Sequence, residues 1–229
     1  MVWHDQVKNF QCATCREQTK LTAGTIFHAT KLPLRKWFQA MYFLTQTKNN
    51  VSALELTRLI GVCYRTAWRL KHKLLQVMTE REAPRQLDGR VEIDDAYLGG
   101  ELSGGKAGRG SENKVSFIAA VNTTDDHHRH LAASTTVVSD GLACFTAVTK
   151  AGCQHEQEVV GKKRKSTDMS CFLWVNTILG NLKTAINGTY HSFDFEKYGN
   201  RYLAEMQYRF NRRFDLAVIL PRLLPVVKW

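Results

Sequence analysis

Apolar positions recur at helical spacing over residues 32–46. Leu34, Trp37, Phe38, Met41, Tyr42 and Leu44 supply one broad face, and Pro33 takes the first turn, where a helix tolerates proline. The pattern predicts a packed amphipathic helix. Two further helices are expected around Gly61, within residues 51–78. Ser52 and Glu55 make a capping box. Leu54, Leu56 and Leu59 are the apolar positions of the first helix, and Gly61-Val62 is its turn. The second helix starts near Tyr64 and turns Ala67, Leu70 and Leu74 inward. Cys63 stands where Ser, Thr or Asp would cap it, so that start is weaker. Residues 83–89, with Pro84 and Gly89, read as a linker.

Beyond the linker the pattern changes to short apolar runs. Val91 and Ile93 mark a strand over 91–98 that ends in the glycine turn Gly99-Gly100. Residues 114–122 form a second strand, expected to pair antiparallel with the first through a long loop. Thr135-Thr136-Val137-Val138 is a third, followed directly by Ser139-Asp140-Gly141. A largely apolar helix is expected over 172–186. A basic one follows over 198–213, with Tyr202, Leu203, Met206 and Phe210 inside and Arg201, Arg209, Arg212 and Arg213 around them. The apolar run over 216–227 is interrupted by Pro221, Arg222 and Pro225 and does not read as a membrane span. Met1-Val2-Trp3-His4-Asp5 does not read as a signal peptide.

Charge narrows the partners. Lys and Arg outnumber Asp and Glu by 32 to 21, for a formal charge of +11, which favours a polyanion and most simply nucleic acid. Arg65, Arg69, Lys71, His72 and Lys73 make the helix after Gly61 basic. Helix, glycine turn and basic helix match the helix-turn-helix pattern, which an ordinary hairpin with a solvated basic face shares. Lys162-Lys163-Arg164-Lys165 reads as a solvated loop with non-specific phosphate contact as the second option. The six cysteines (12, 15, 63, 144, 153 and 171) show no disulfide framework and fit a reduced, cytoplasmic setting. Cys12 and Cys15 form one C-x-x-C knuckle, half of a zinc ribbon. His4 and His28 are stand-ins at no standard spacing, and two free thiols are the alternative.

Candidate chemistry gathers on the first strand. Glu92, Asp94 and Asp95 are costly to bury on a central strand unless paired with something positive, and a hard divalent cation answers that need. An acidic strand end facing water is the competing account. Asp140 stands at the C-terminal end of a strand, where open α/β sheets place their chemistry. Asn176, Gly180 and Lys183 share one helix face and suit a metal and a phosphate, or a solvated stripe. The stretch 99–107 nearly matches a phosphate-binding loop. Ala107 lacks the hydroxyl for magnesium, and Gly108-Arg109-Gly110 breaks the helix that should follow. A nucleotide hydrolase is therefore set aside. Lys106 and Arg109 become candidates for a DNA backbone. His127, His128 and His130 beside Asp125 and Asp126 read as a polar turn.

Taken in order, these pieces resemble the ISXO-like insertion-sequence transposases, bacterial enzymes with an RNase H-like core. The matching residues are Cys12-Ala13-Thr14-Cys15 with Thr22-Ala23-Gly24-Thr25-Ile26-Phe27, Leu34-Arg35-Lys36-Trp37-Phe38, and the helix pair over 52–72. Further on are Val91-Glu92-Ile93-Asp94 with Tyr97 and Gly99-Gly100, and Ser139-Asp140-Gly141. The last are Trp174-Val175-Asn176-Thr177 through Lys183, Gly188-Thr189-Tyr190-His191, and Arg209-Phe210-Asn211-Arg212-Arg213. The resemblance implies an α/β fold in which a partial zinc ribbon (1–30) and a helix-turn-helix region (31–82) precede an RNase H-like mixed sheet flanked by helices (90–213). A tail over 214–229 closes the chain.

By the same resemblance Asp94, Asp140 and Asn176 hold magnesium or manganese, with Lys183 as the associated lysine. Two such ions activate a water or 3′-hydroxyl and stabilise the leaving oxygen of a phosphodiester. Arg65, Arg69, Lys73, Lys106 and Arg109 would contact DNA, and Cys12 and Cys15 a zinc ion. The partners implied are double-stranded DNA, as element ends and target, and a second copy of the chain. The setting implied is a bacterial cytoplasm, at the nucleoid. Two departures stand out. The first C-x-x-C pair is missing. Only residues 123–134 separate the second and third strands, too few for the strand and crossover helix an RNase H-like core needs there. An internal deletion of roughly twenty residues is inferred from that size argument, and a catalytically inactive, DNA-binding remnant is the alternative to an active transposase.

Overall fold

The computed structural model of the chain describes residues 1–4, 9–47, 49–85, 87–99, 111–112, 114–123, 135–159, 169–190 and 193–224. Residues 100–110 of the glycine-rich loop, with Lys106 and Arg109, the histidines at 127–130 and the basic run at 162–165 lie outside the described residues. The chain divides into two units. One joins residues 1–81 to 207–229, and the other comprises residues 82–206.

The first unit opens with a small antiparallel sheet, β1 (Val2–His4), β2 (Asn9–Gln11) and β3 (Gln18–Lys20), in that order. Cys12 and Cys15 lie in the β2–β3 connection, where the Arg16 amide donates to the Cys12 carbonyl. Three helices follow: α1 (Leu34–Gln46), α2 (Ala53–Ile60) and α3 (Tyr64–Glu82). They bury one core from Trp37, Met41 and Leu44 of α1, Leu56 and Ile60 of α2, and Ala67, Leu70, Leu74 and Met78 of α3. Tyr208, Ile219 and Leu223 from the C-terminal segment complete it. The buried face of α1 is narrower than its apolar pattern, because Leu34, Phe38 and Tyr42 line up at i, i+4 and i+8 on an exposed stripe.

Local chemistry fixes the α2–α3 corner. The Ser52 hydroxyl accepts the Glu55 amide, capping α2. Gly61 ends α2 at φ +63°, the left-handed conformation that favours glycine, and donates to the Thr57 carbonyl. The arginines closing the last long helix, α6 (Phe195–Phe210), are structural. Arg209 bonds the Thr47 carbonyl and Asn50, and Arg212 bonds the Tyr208 carbonyl while lying 3.8 Å over that residue's ring.

The second unit is mixed α/β. Its sheet contains β4 (Arg90–Leu98), β5 (Val115–Asn122), β6 (Thr136–Ser139) and β7 (Gln154–Gln157), ordered β5-β4-β6-β7. β4 and β5 pair antiparallel along their length, from Val91↔Asn122 to Leu98↔Val115. β6 is parallel to β4, and β7 is parallel to β6. A 3₁₀ turn (Ala143–Thr146) and the short α4 (Ala147–Lys150) connect β6 to β7. Helix α5 (Leu173–Ala185) covers one face, packing Val175 and Leu179 against Ala96, Val121 and Val138. Farther along, Leu182 and Ile186 meet Leu98. Helix and strand therefore advance in the same direction. Residues 124–134, between β5 and β6, lie outside the described residues. No helix among the described residues is long and apolar enough to cross a membrane.

Candidate functional site

β4 carries the acidic residues, and its alternation sorts them. Glu92, Ala96 and Leu98 face α5, and Asp94 falls on the same side by the two-residue period. Val91 and Ile93 pack on the opposite face with Val137 and Phe145. The parallel register pairs Glu92 with Val138, so two residues on Asp140 arrives beside Asp94 as β6 ends. β4 runs on from Ile93 to Leu98 beyond its pairing with β6. There the carboxylates of Asp94, Asp95 and Asp140, all half-buried, converge with ligand oxygens within 4.8 Å of one another.

The turn holding Asp140 is well anchored. Ser139 is fully buried, shares a 2.8 Å hydrogen bond with the His155 ring on β7, and accepts the Gly141 amide at 3.3 Å. Asp140 Oδ1 accepts the Leu142 amide at 3.2 Å, closing an Asx-type turn. Gly141 adopts φ +82°, and a Cβ there would stand 3.1 Å from Val159 Cγ2. On β4, Asp94 Oδ1 accepts the Asp95 amide at 2.8 Å.

Asn176 lies half-buried in the first turn of α5, in the stretch that flanks β4 between Glu92 and Ala96. Gly180 and Lys183 continue its stripe on the exposed side of the helix, and open space surrounds Gly180. Glu92 is 2 % exposed, and its Oε2 accepts the Trp174 and Val175 amides, each at 2.9 Å. Burial pushes the Glu92 carboxyl above its ordinary range; the two amides and the charge of Arg90 pull downward without cancelling that.

The sequence offers Asp95 with Glu92 and Asp94 as carboxylates for a divalent cation, and although alternation would send Asp95 away from Asp94, its oxygen joins the cluster while Glu92 turns to α5. The Glu92–α5 link has no sequence signal, since the partners are 82 and 83 positions apart. In the first unit Arg65, Arg69 and Lys73 share an exposed face of α3, whereas Lys71 and His72 are buried. Lys71 donates to the Val51 carbonyl, and His72 stacks on Trp68 with ring centroids 4.0 Å apart. Among the described residues no third His, Cys, Asp or Glu joins Cys12 and Cys15, short of the four ligands structural zinc takes. Hydrogen bonds from the Cys15 and Thr14 amides lower the Cys12 thiol to about 7.

The site thus joins an aspartate on a central strand, a second at the end of the neighbouring parallel strand and a covering helix on one side. Residues 86–130 and 123–211 match the ISXO2-like transposase domain, together more than half of the chain. This chain belongs to the ISXO2-like transposase family. The family's sequence is met in two pieces that overlap at 123–130, between β5 and β6. The transposase is also similar to an uncharacterized protein in transposable element ISH50 of Halobacterium salinarum, 35% identical over 98 residues. That match covers 42% of this chain and 32% of the relative, about a third of its length. No solved structure matches the transposase chain.

Proposed function

We propose that this transposase cleaves and joins DNA strands at the ends of an insertion sequence, in a reaction dependent on a divalent metal ion. The observation that carries the reading is the convergence of Asp94, Asp95 and Asp140 within 4.8 Å. Three carboxylates so close offer an all-oxygen ligand set, which suits magnesium or manganese. Asp94 and Asp140 are the principal ligands, Asp95 adds a third charge, and Asn176 offers a neutral amide oxygen. When bound, the ion supplies a nucleophile at neutral pH and charge stabilisation for the leaving oxygen. Lys183, exposed on the Asn176 stripe, neutralises phosphate charge on the incoming strand.

DNA is held by the first unit in this reading. Arg65, Arg69 and Lys73 offer three cations at four-residue spacing on α3, the second helix of a helix-turn-helix. The formal charge of +11 supports a duplex partner. Lys106 and Arg109 are read as further contacts to a DNA backbone, and a second copy of the chain pairs the two element ends in the cytoplasm. Zinc at Cys12 and Cys15 would need further ligands to complete a structural site.

Nicking of supercoiled plasmid carrying element ends tests the proposal. Magnesium-dependent nicking by the wild type, lost in Asp94→Asn and Asp140→Asn, supports it. A second reading, a remnant that binds DNA without cutting it, is favoured by one observation: the span from the end of β5 at Asn122 to the start of β6 at Thr136 is too short for both a strand and a crossover helix, and the family match divides there. DNA binding without nicking in any variant would establish that reading.

A further inference from the structure

We infer that Glu92 is a positioning residue that sets Asn176 of α5 against Asp94 of β4. The inference rests on the reading that Asp94, Asp140 and Asn176 hold a divalent metal. The first amides of any helix lack partners within it and need an acceptor from elsewhere. Helix α5 carries none of its own. Phe172 occupies its N-cap without a side-chain hydrogen bond, and its first turn contains no acidic residue. Glu92 fills that role from the sheet, accepting the Trp174 and Val175 amides with one oxygen. Those two amides immediately precede Asn176. Asp94 follows Glu92 by two residues on the same face of β4. One carboxylate thus ties the backbone bearing Asn176 to the strand bearing Asp94, one residue from the former and two from the latter.

The position otherwise asks for an apolar side chain. Glu92 is 2 % exposed between buried Val91 and Ile93, and a carboxylate there is costly unless it is bonded. General β4–α5 adhesion does not require it, because Ala96, Val175, Leu179, Leu98 and Leu182 already supply apolar packing between the two. What the carboxylate adds is a fixed rotation and depth for the first turn of α5, where Asn176 sits. Supporting partners of metal ligands commonly act in this way.

Manganese binding followed by electron paramagnetic resonance on the full chain, with thermal melts alongside, tests the inference. Glu92→Gln keeps an oxygen that can accept both amides, and it is expected to bind Mn²⁺ about as tightly as wild type. Glu92→Ala, held well below its melting point, is expected to bind about tenfold more weakly or worse. Combining Glu92→Ala with Asn176→Ala should weaken binding no further than Asn176→Ala alone, since both changes remove the same interaction. Should alanine at 92 fail to fold, Glu92→Asp, one methylene short of the amides, replaces it with the same expectations. Wild-type affinity in a folded Glu92→Ala variant overturns the inference. So does a loss in Glu92→Gln equal to that in Glu92→Ala, or full additivity with Asn176→Ala. Wild-type Mn²⁺ binding in Asp94→Asn would instead sink the metal-site reading itself, and the role of Glu92 with it.

Discussion

Asp140 stands beside Asp94 because β6 runs parallel to β4 in a register that pairs Glu92 with Val138. Each strand then advances two residues and delivers a carboxylate to the same point. Asp95 joins them there, and the three lie within 4.8 Å. Two long-range facts, strand order and register, thus create a concentration of negative charge between residues 46 positions apart in the chain (140 − 94).

That concentration has a stability signature. Asp140 adds a third negative charge to the cluster, so Asp140→Asn is expected to raise the melting temperature in chelator-treated protein. Added magnesium or manganese is expected to raise the wild-type melting temperature and to leave Asp140→Asn nearly unmoved. Differential scanning calorimetry with and without metal reads both effects. A metal-free Asp140→Asn that melts below wild type would argue against repulsion at this point.

Gly141 holds the turn that aims Asp140. Its φ of +82° and the 3.1 Å approach of Val159 to a Cβ leave little room for a side chain. Gly141→Ala is expected to cost about 1–2 kcal/mol from the left-handed backbone alone and to weaken Mn²⁺ binding. Chemical denaturation and manganese titration of the variant check the two parts separately.

The basic residues of α3 divide by role. Ala at Arg65, Arg69 or Lys73 is expected to weaken duplex binding at every sequence and to reduce the salt dependence by about one unit of slope for each phosphate contact removed. Lys71→Met is expected to leave that slope unchanged and to destabilise the first unit by about 1–3 kcal/mol, because the Val51 carbonyl loses its buried donor. Salt-titrated fluorescence anisotropy and thermal melts separate the two outcomes.

Cys63 carries a pH prediction. The Thr66 hydroxyl, 3.2 Å away, is the largest influence lowering its thiol below the ordinary value. A lowered thiol holds more thiolate at neutral pH, and the thiolate is the form that alkylates. Thr66→Val is therefore expected to slow iodoacetamide modification of Cys63 at pH 7 and to shift its rate–pH curve upward. Peptide mapping by mass spectrometry follows this single cysteine, and equal rates in both proteins would refute the assignment.

Local signals were legible in the chain. The capping serine at 52, the left-handed Gly61 and the antiparallel partnership of β4 with β5 follow from short-range rules, and the structure contains each. Non-local features were not. β7 reads Gln-His-Glu-Gln, with no apolar alternation to mark it, because a short strand at the sheet's edge needs little burial. Lys71 looked like one more surface cation until the Val51 carbonyl came within reach. At the site, Asp94, Asp140 and Asn176 could be singled out by residue type and resemblance. Asp95 was legible there too among the strand's carboxylates, but the grip of Glu92 on α5 depends on packing between distant segments.

Anomalous scattering from a manganese-soaked crystal of the full chain tests the central claim most directly. The account predicts an anomalous peak bonded to oxygens of Asp94 and Asp140, with Asp95 and Asn176 at its margin, and loss of that peak in Asp94→Asn. Side chains of Asp94 and Asp140 turned apart with no peak between them would contradict it, and so would manganese bound elsewhere and unaffected by Asp94→Asn.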